Sequence, residues 1–428
     1  MRAGVCLAFV LSAAREGAAC DTGFVTASAS LVDLYFTAYD QVLAQHMTRE
    51  SDGTTYVSTG DIRAEWLRDS SAVARAYIGS AKADASVAQT IRGIVARQAR
   101  YILLDPYANA FSEDYVVIER KFEADSLLYP VWLAYSYWQA TGDATIFTPE
   151  EGRALDTVMG VLRTEQRHDE RSTYRHPDLP RDGRGSPVAF TGMLWSGFRP
   201  SDDPTRYGYN IPVNAFATVV LREFSEIEKK AYRNQAQAAN AWGLSVQVQR
   251  GIEQSGVVDD PRLGKVYAYE VDGLGHTNLM DDANMPSLLS MPYFGYVRES
   301  DPIYQSTRGF VLSSRDPYFY AGPYAQGIGS PHTPQRYVWP LALIVQALTS
   351  TSDDETTRVL GYIAASLTGD DRLHESFDVD DPRRFTRADF AWPNALYIEL
   401  ITALHPKADT SSTTSLECFD GVAQHPTT

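Results

Sequence analysis

Two loop segments far apart in the chain carry carboxylates in settings suited to acid–base work. The run Trp195-Ser-Gly-Phe-Arg199-Pro-Ser-Asp202-Asp203 sets two adjacent acids beside an arginine, an indole and a proline. Neighbouring carboxylates disfavour joint ionisation, and an apolar wall raises a carboxyl pKa, which together keep a general acid protonated near neutrality. The same acids lie just ahead of a helical pattern near residue 211, so a helix cap or a calcium loop stays open as the lesser reading. The second segment, His374-Glu375-Ser376-Phe377, is followed by an acidic loop and by Thr386-Arg387-Ala-Asp389-Phe-Ala-Trp392. A glutamate among hydrogen-bond donors, with an arginine nearby, can orient and deprotonate water. An exposed loop glutamate would look the same.

Two further constellations could grip a polar substrate. In residues 59–70, Glu65 and Asp69 lie four apart and flank Trp66 and Arg68, with Asp61 just upstream. Carboxylates that accept and a guanidinium that donates can hold vicinal hydroxyls; they can also form a buried salt-bridge network that locks two helices. Residues 269–284 hold four acids and two asparagines, among them Asp281, Asp282 and Asn284. Their spacing is not that of an EF-hand loop. No HExxH zinc motif, G-x-S-x-G elbow, Walker A or Rossmann fingerprint is present. What remains is a pair of carboxylates on distant loops, surrounded by aromatics and polar grips, and that is the equipment of glycoside hydrolysis.

These segments need a scaffold that brings them together. Amphipathic periodicity predicts twelve helices, near 28–46, 66–81, 86–104, 126–140, 149–165, 211–228, 231–254, 284–293, 301–312, 338–349, 353–367 and 390–404. Thr148-Pro149 has the form of an N-cap followed by a first-turn proline, and Thr141-Gly142 that of a stop. Six polar, aromatic-rich turns precede the even-numbered helices: residues 59–62, 119–123, 195–203, 278–284, 329–334 (with His332) and 374–387. If the helices alternate in direction, all six turns fall on one rim. The expectation is an all-α fold, an (α/α)6 toroid of six inner and six outer helices with strands a minor feature.

Composition narrows the class further. With 44% hydrophobic residues in 428, the chain can fill a large core, and no Pro/Ser linker divides it, so one domain over 21–406 is expected. A formal charge of −16 without a basic stripe argues against a nucleic-acid binder. No stretch reaches the roughly 20 apolar residues of a membrane span. Residues 1–20 have the form of a weak leader, favouring a secreted or periplasmic protein over a cytoplasmic one, and 407–428 read as a loose tail. Cys6, Cys20 and Cys418 provide no disulfide framework, although Cys20 and Cys418 could pair in an oxidising compartment.

The runs Thr59-Gly-Asp-Ile62 with Trp66-Leu-Arg-Asp-Ser70, Ser196-Gly-Phe-Arg-Pro-Ser-Asp-Asp203, Leu279-Met-Asp-Asp-Ala-Asn284, and His374-Glu-Ser-Phe377 with Phe390-Ala-Trp392 closely resemble glycoside hydrolase family 125. The resemblance extends from about Thr59 to Leu404. It implies an (α/α)6 barrel and an exo-α-1,6-mannosidase that inverts configuration, with no cofactor and no metal. By the same resemblance Asp202 is the general acid, with Asp203 as the fallback, and Glu375 is the base. Asp61, Trp66, Arg68, Asp69, Asp281, Asp282 and Asn284 fall on the mannose pocket, and Trp195, Arg199, Asp203, His332 and Arg387 are expected to contact substrate beside them. The expected partner is a mannose-containing oligosaccharide, such as a fragment of an N-glycan. Departures are a short, divergent region before Thr59 and Pro393 at a position where a small residue is expected. The same residues leave open another inverting (α/α)6 glycosidase of glucoamylase-like or trehalase-like type, or an inactive mannose-binding protein.

Overall fold

A computed structural model describes residues 22–404. The leader, the three cysteines and the tail lie outside the described residues. Among those described, eleven helices have nine residues or more: α1 (Thr22–Gln41), α2 (Leu67–Arg75), α3 (Ala85–Leu104), α4 (Ala124–Thr141), α5 (Pro149–Glu165), α6 (Ile211–Lys230), α7 (Gln235–Gly251), α8 (Pro302–Val311), α9 (Pro340–Leu348), α10 (Asp353–Ser366) and α11 (Ala391–Leu404). Around the inner ring α2 packs on α4 and α11, α4 on α6, and α9 on α11. Outside it, α7 lies against α6, α10 against α9, α3 against α5, and α1 against α11 and α10. The result is the (α/α)6 toroid.

Sequence decides which helix is inner. Every residue of α9 from Pro340 to Ala347 is buried, as are Ala391–Ile398, Leu400 and Ile401 of α11. Helices apolar on all sides belong in a core. By contrast α10 buries only Val359, Ile363 and Ser366, and α7 buries Ala238, Ala241, Leu244, Ser245, Val248 and Gly251, a stripe at helical spacing. Each fully buried Leu, Ile or Val contributes about 1.5–3 kcal/mol, so α9, with Leu341, Leu343, Ile344 and Val345 at 0% exposure, is among the costliest places to truncate. Caps fall where expected. Thr148 accepts from Glu151 N–H with Pro149 in the first turn, and Gly142 ends α4 at φ +74°.

The helix expected over 284–293 is not formed. Pro286 disfavours helical backbone at Met285, and Asp281 accepts the N–H groups of Leu288 and Leu289 at 2.8 and 3.0 Å, folding the segment into turns. It still fills the sixth inner station: Tyr129 donates to the Met285 carbonyl, and Tyr293 and Phe294 pack edge-on against Trp132 and Phe216. The expected helix over 66–81 is also interrupted, α2 ending at Arg75 ahead of a single turn at Ile78–Ala81. Strands are short and make six two- or three-stranded sheets. Pro393 sits in the first turn of α11, where a proline interrupts no helical hydrogen bond. Among the described residues, no helix is long and apolar enough to cross a membrane.

Candidate active site

All six polar turns precede an inner station and clasp one another in a closed circuit. Arg68, at the start of α2, reaches Glu123 at 2.5 Å and Asp202 at 3.4 Å. Ser201 donates to Asp282 at 2.9 Å, and Ala283 N–H to the Gly329 carbonyl at 3.0 Å. His332 faces Asp203 at 3.5 Å. On the far side Arg387 meets Glu375 at 3.8 Å and Asp61 at 2.8 Å, while Asp61 N–H donates to the Asp389 carbonyl, closing the ring. Gly60 is what permits that last clasp: at φ +134°, a Cβ there would lie 2.0 Å from the Asp389 oxygen.

The two adjacent aspartates diverge. Asp202 sits at φ +65°, in the left-handed region that an Asp tolerates better than most residues, and this turns its carboxyl toward Arg68 and Asn109, whose Nδ2 donates at 3.1 Å. Asp203 turns the other way, to Ser201 and His332. The acid that faces Asp202 is therefore Glu123, not Asp203, and this revises the expectation that 202 and 203 perturb each other directly. Burial pushes Asp202 up, but the hydrogen bond with Glu123 and the charges of Arg68, Lys121 and His332 outweigh it and hold Asp202 below its ordinary value. Glu123 is driven well above its own by burial and by Asp202.

Glu375 leads into a short strand, Ser376–Asp378, paired with Asp381–Thr386, so its backbone is fixed by a hairpin. Only 6% of the residue is exposed. Burial raises its pKa, although Arg387, the Thr386 hydrogen bond and His332 work against the rise. A raised carboxyl pKa makes a stronger base. His332 joins the two halves: its hydrogen bond to Asp203, with the charges of Asp202 and Glu375 also acting on it, pushes its pKa up to about 9. The charges of the aspartate turn and of the glutamate turn thus both act on one imidazole.

This two-carboxylate rim on a toroid of paired helices agrees with what the comparisons return. The family described as metal-independent α-mannosidase, glycoside hydrolase family 125, matches residues 28–402. The chain belongs to that family. The match begins well before Thr59, so the divergent region is part of the family fold. A Streptococcus pneumoniae metal-independent α-mannosidase, solved in a non-productive complex with α-1,6-mannobiose, is 42% identical with a TM-score of 0.84 over 88% of this chain and 94% of its own. The meiotically up-regulated gene 157 protein of Schizosaccharomyces pombe is 38% identical over 411 residues, 85% of this chain and 79% of that protein. The glucoamylase of Saccharomycopsis fibuligera, 12% identical with a TM-score of 0.62 over 88% of this chain and 95% of that one, shares the fold.

Within this family 125 α-mannosidase several of the residues expected to contact substrate are buried and engaged within the protein. Trp195 has 0% exposure and stacks on His168 with ring centroids 3.5 Å apart, a wall behind the acid turn rather than a sugar platform. Arg199 is engaged by Glu270 through Nε at 2.6 Å and Nη2 at 3.2 Å. Asp281, also at 0%, caps the turns that replace the missing helix. Asp282 is at 0% exposure too, held by Ser201 and Ser330. Arg68 is 3% exposed and bridges α2 to Glu123 and to Asp125 on α4, the salt-bridge network that its sequence left open. Beside it Asp69 is only 6% exposed, its pKa raised to about 6 by burial. Asp61, Trp66, Asp203, His332 and Arg387 keep partial exposure at the rim, and Asn284 has an unpartnered Oδ1. Glu123 and Asn109 escaped the sequence reading. Glu123 lies in one of the six turns, but Asn109 follows α3 and carries no local signal.

Proposed function

We propose that residues 21–406 act as one catalytic domain and that the enzyme is an inverting exo-acting α-mannosidase, releasing terminal non-reducing mannose from α-1,6 linkages in oligosaccharides such as N-glycan fragments. Asp202 protonates the glycosidic oxygen while Glu375 takes a proton from a water that attacks C1 on the opposite face of the sugar. His332 is the observation that carries this reading: it pairs with Asp203 at 3.5 Å and feels the charges of both Asp202 and Glu375, which supports the two carboxylates facing a common hollow. The turns are tied to one another around the rim, which favours a chain end over an internal segment. The α-1,6 linkage is supported by the mannobiose bound to the Streptococcus pneumoniae enzyme.

Inversion requires the two carboxyls to stand roughly 6.5–9.5 Å apart, leaving room for the water, whereas retention needs about 5 Å. NMR of the first-formed anomer from α-1,6-mannobiose decides between them; β-mannose supports the mechanism and α-mannose overturns it. Rates on α-1,2-, α-1,3- and α-1,6-mannobiose test the linkage. Asp202→Asn and Glu375→Gln each remove at least about a hundredfold of kcat on mannobiose if these groups are the acid and base. Unchanged turnover in either variant removes its role. Comparison of nitrophenyl α-mannoside with α-glucoside tests the sugar.

A further inference from the structure

Glu123 is a carboxyl that the mechanism does not use, yet it shares its donors with the acid. It is 1% exposed. Its Oε2 already accepts from Arg68 Nη1 at 2.5 Å and Ser126 Oγ at 2.9 Å, and its Oε1 receives only a long 3.5 Å contact from Asn109. Asp202 Oδ1 is held by the same two donors, Arg68 Nη2 at 3.4 Å and Asn109 Nδ2 at 3.1 Å, so one guanidinium and one amide draw the two carboxyls together. One guanidinium thus faces four acids: Asp69, Glu123, Asp125 and Asp202. The other groups acting on Glu123 and Asp202 are Lys121, held by Glu119, and His332, while the Tyr174 hydroxyl donates to the Arg120 carbonyl. Four carboxylates around one buried arginine cannot all be ionised, because desolvated like charges repel more strongly than a single cation offsets.

Resting on the acid assignment above, we propose that Glu123 is a positioning residue that stores the acid's proton: Glu123 and Asp202 share one proton, which rests on Glu123 Oε1 and passes to Asp202 for delivery to the leaving group. As it passes, Glu123 becomes a carboxylate neutralised by Arg68. Asp202 then gives the proton to the glycosidic oxygen as the C1–O bond breaks, the water oxygen bonds to C1, and Glu375 takes the water's proton. One water is consumed; the proton gained by Glu375 returns to solvent and the Glu123–Asp202 pair regains one. The raised pKa of Glu123 and the lowered one of Asp202 agree with this resting distribution.

The test is Glu123→Gln, which keeps the shape and offers an amide donor to Asp202 but stores no proton. On α-1,6-mannobiose, kcat at neutral pH is expected to fall at least about tenfold, and the basic limb of kcat/KM to move at least about one pH unit lower, because a carboxylate stabilised by that amide loses its proton more readily. On 2,4-dinitrophenyl α-mannoside, whose leaving group needs no acid, the loss should nearly vanish. A merely structural role lowers both substrates alike and leaves the pH limb in place, and that result overturns the proposal. If Glu123→Gln does not fold, Asn109→Ala serves the same purpose: a basic limb unmoved and equal losses on both substrates overturn the proposal. Full mannobiose turnover by Asp202→Asn would instead sink the acid assignment itself, so the two failures are distinguishable.

Discussion

Arg199→Met removes one half of a buried ion pair and keeps most of the stem's volume. Glu270 is at 0% exposure, and Oε1 meets only Arg199, at 2.6 Å; Oε2 keeps Arg206 N–H at 3.2 Å and Asn278 Nδ2 at 3.1 Å. Removing one partner of such a pair costs about 3–5 kcal/mol, and Oε1, left with no donor, puts the expected value near the middle, about 4 kcal/mol. In a protein of this length that is a melting-point drop of roughly 4–5 °C. The double variant Arg199→Met with Glu270→Gln replaces the orphaned charge by a neutral amide and should recover most of the loss. Activity should not recover, because the Arg199 side chain also ties to Glu270 the turn that carries both aspartates, a turn closed by Arg199 N–H on the Asp203 carbonyl at 2.8 Å and Asp202 N–H on the Arg199 carbonyl at 2.9 Å. A loosened turn misplaces the acid, and small misplacements cost up to about a hundredfold in rate. Calorimetry with mannobiose kinetics on the two variants decides it. A single variant melting within about 1 °C of the parent, or a double variant no more stable than the single, refutes the reasoning.

Other expectations follow from the same geometry. Gly60→Ala should strain the backbone by about 1–3 kcal/mol and push residues 60 and 389 apart, lowering kcat/KM on mannosides more than stability alone explains; parental kinetics and melting would contradict this. Glu375 must be ionised to act as base, and burial raises its pKa, so activity should fall on the acid side at a higher pH than an ordinary glutamate would give. Arg387→Met removes the cation that opposes the rise and should move that limb higher still; a shift to lower pH would show the limb belongs to another group. Among the described residues no three His, Cys, Asp or Glu side chains are grouped to hold a metal ion. As the family is described as metal-independent, dialysis against a chelator should leave kcat unchanged, and a loss restored by added metal would refute that expectation.

The scaffold was readable wherever local chemistry settles structure. Thr148-Pro149 and Gly142 marked ends correctly because caps act within four residues, and the largely apolar α9 and α11 take inner positions, as such composition requires. The false helix over 284–293 had apolar spacing, but Pro286 and the Asp281 carboxylate redirect its backbone. Site residues were harder. Trp195 has the composition of a sugar platform, and only its stacking on His168 reveals a wall. Glu123 and Asn109 gain meaning solely from a side chain 55 or more residues away in Arg68 and 93 away in Asp202, respectively, contacts that no window along the chain contains. Adjacency in sequence pointed to Asp203 as the partner of Asp202, yet the left-handed backbone at 202 separates them.

The clasp between residues 59–61 and 387–391 sews the beginning of the catalytic circle to its end. During synthesis, Arg68, Glu123 and Asp202 can be in place while Glu375 and the final inner helix are still unmade. On the proposed roles, the chain therefore holds an acid with no base for a long stretch of its synthesis and becomes competent only when α11 docks, so turnover reports completion of the ring and nothing short of it.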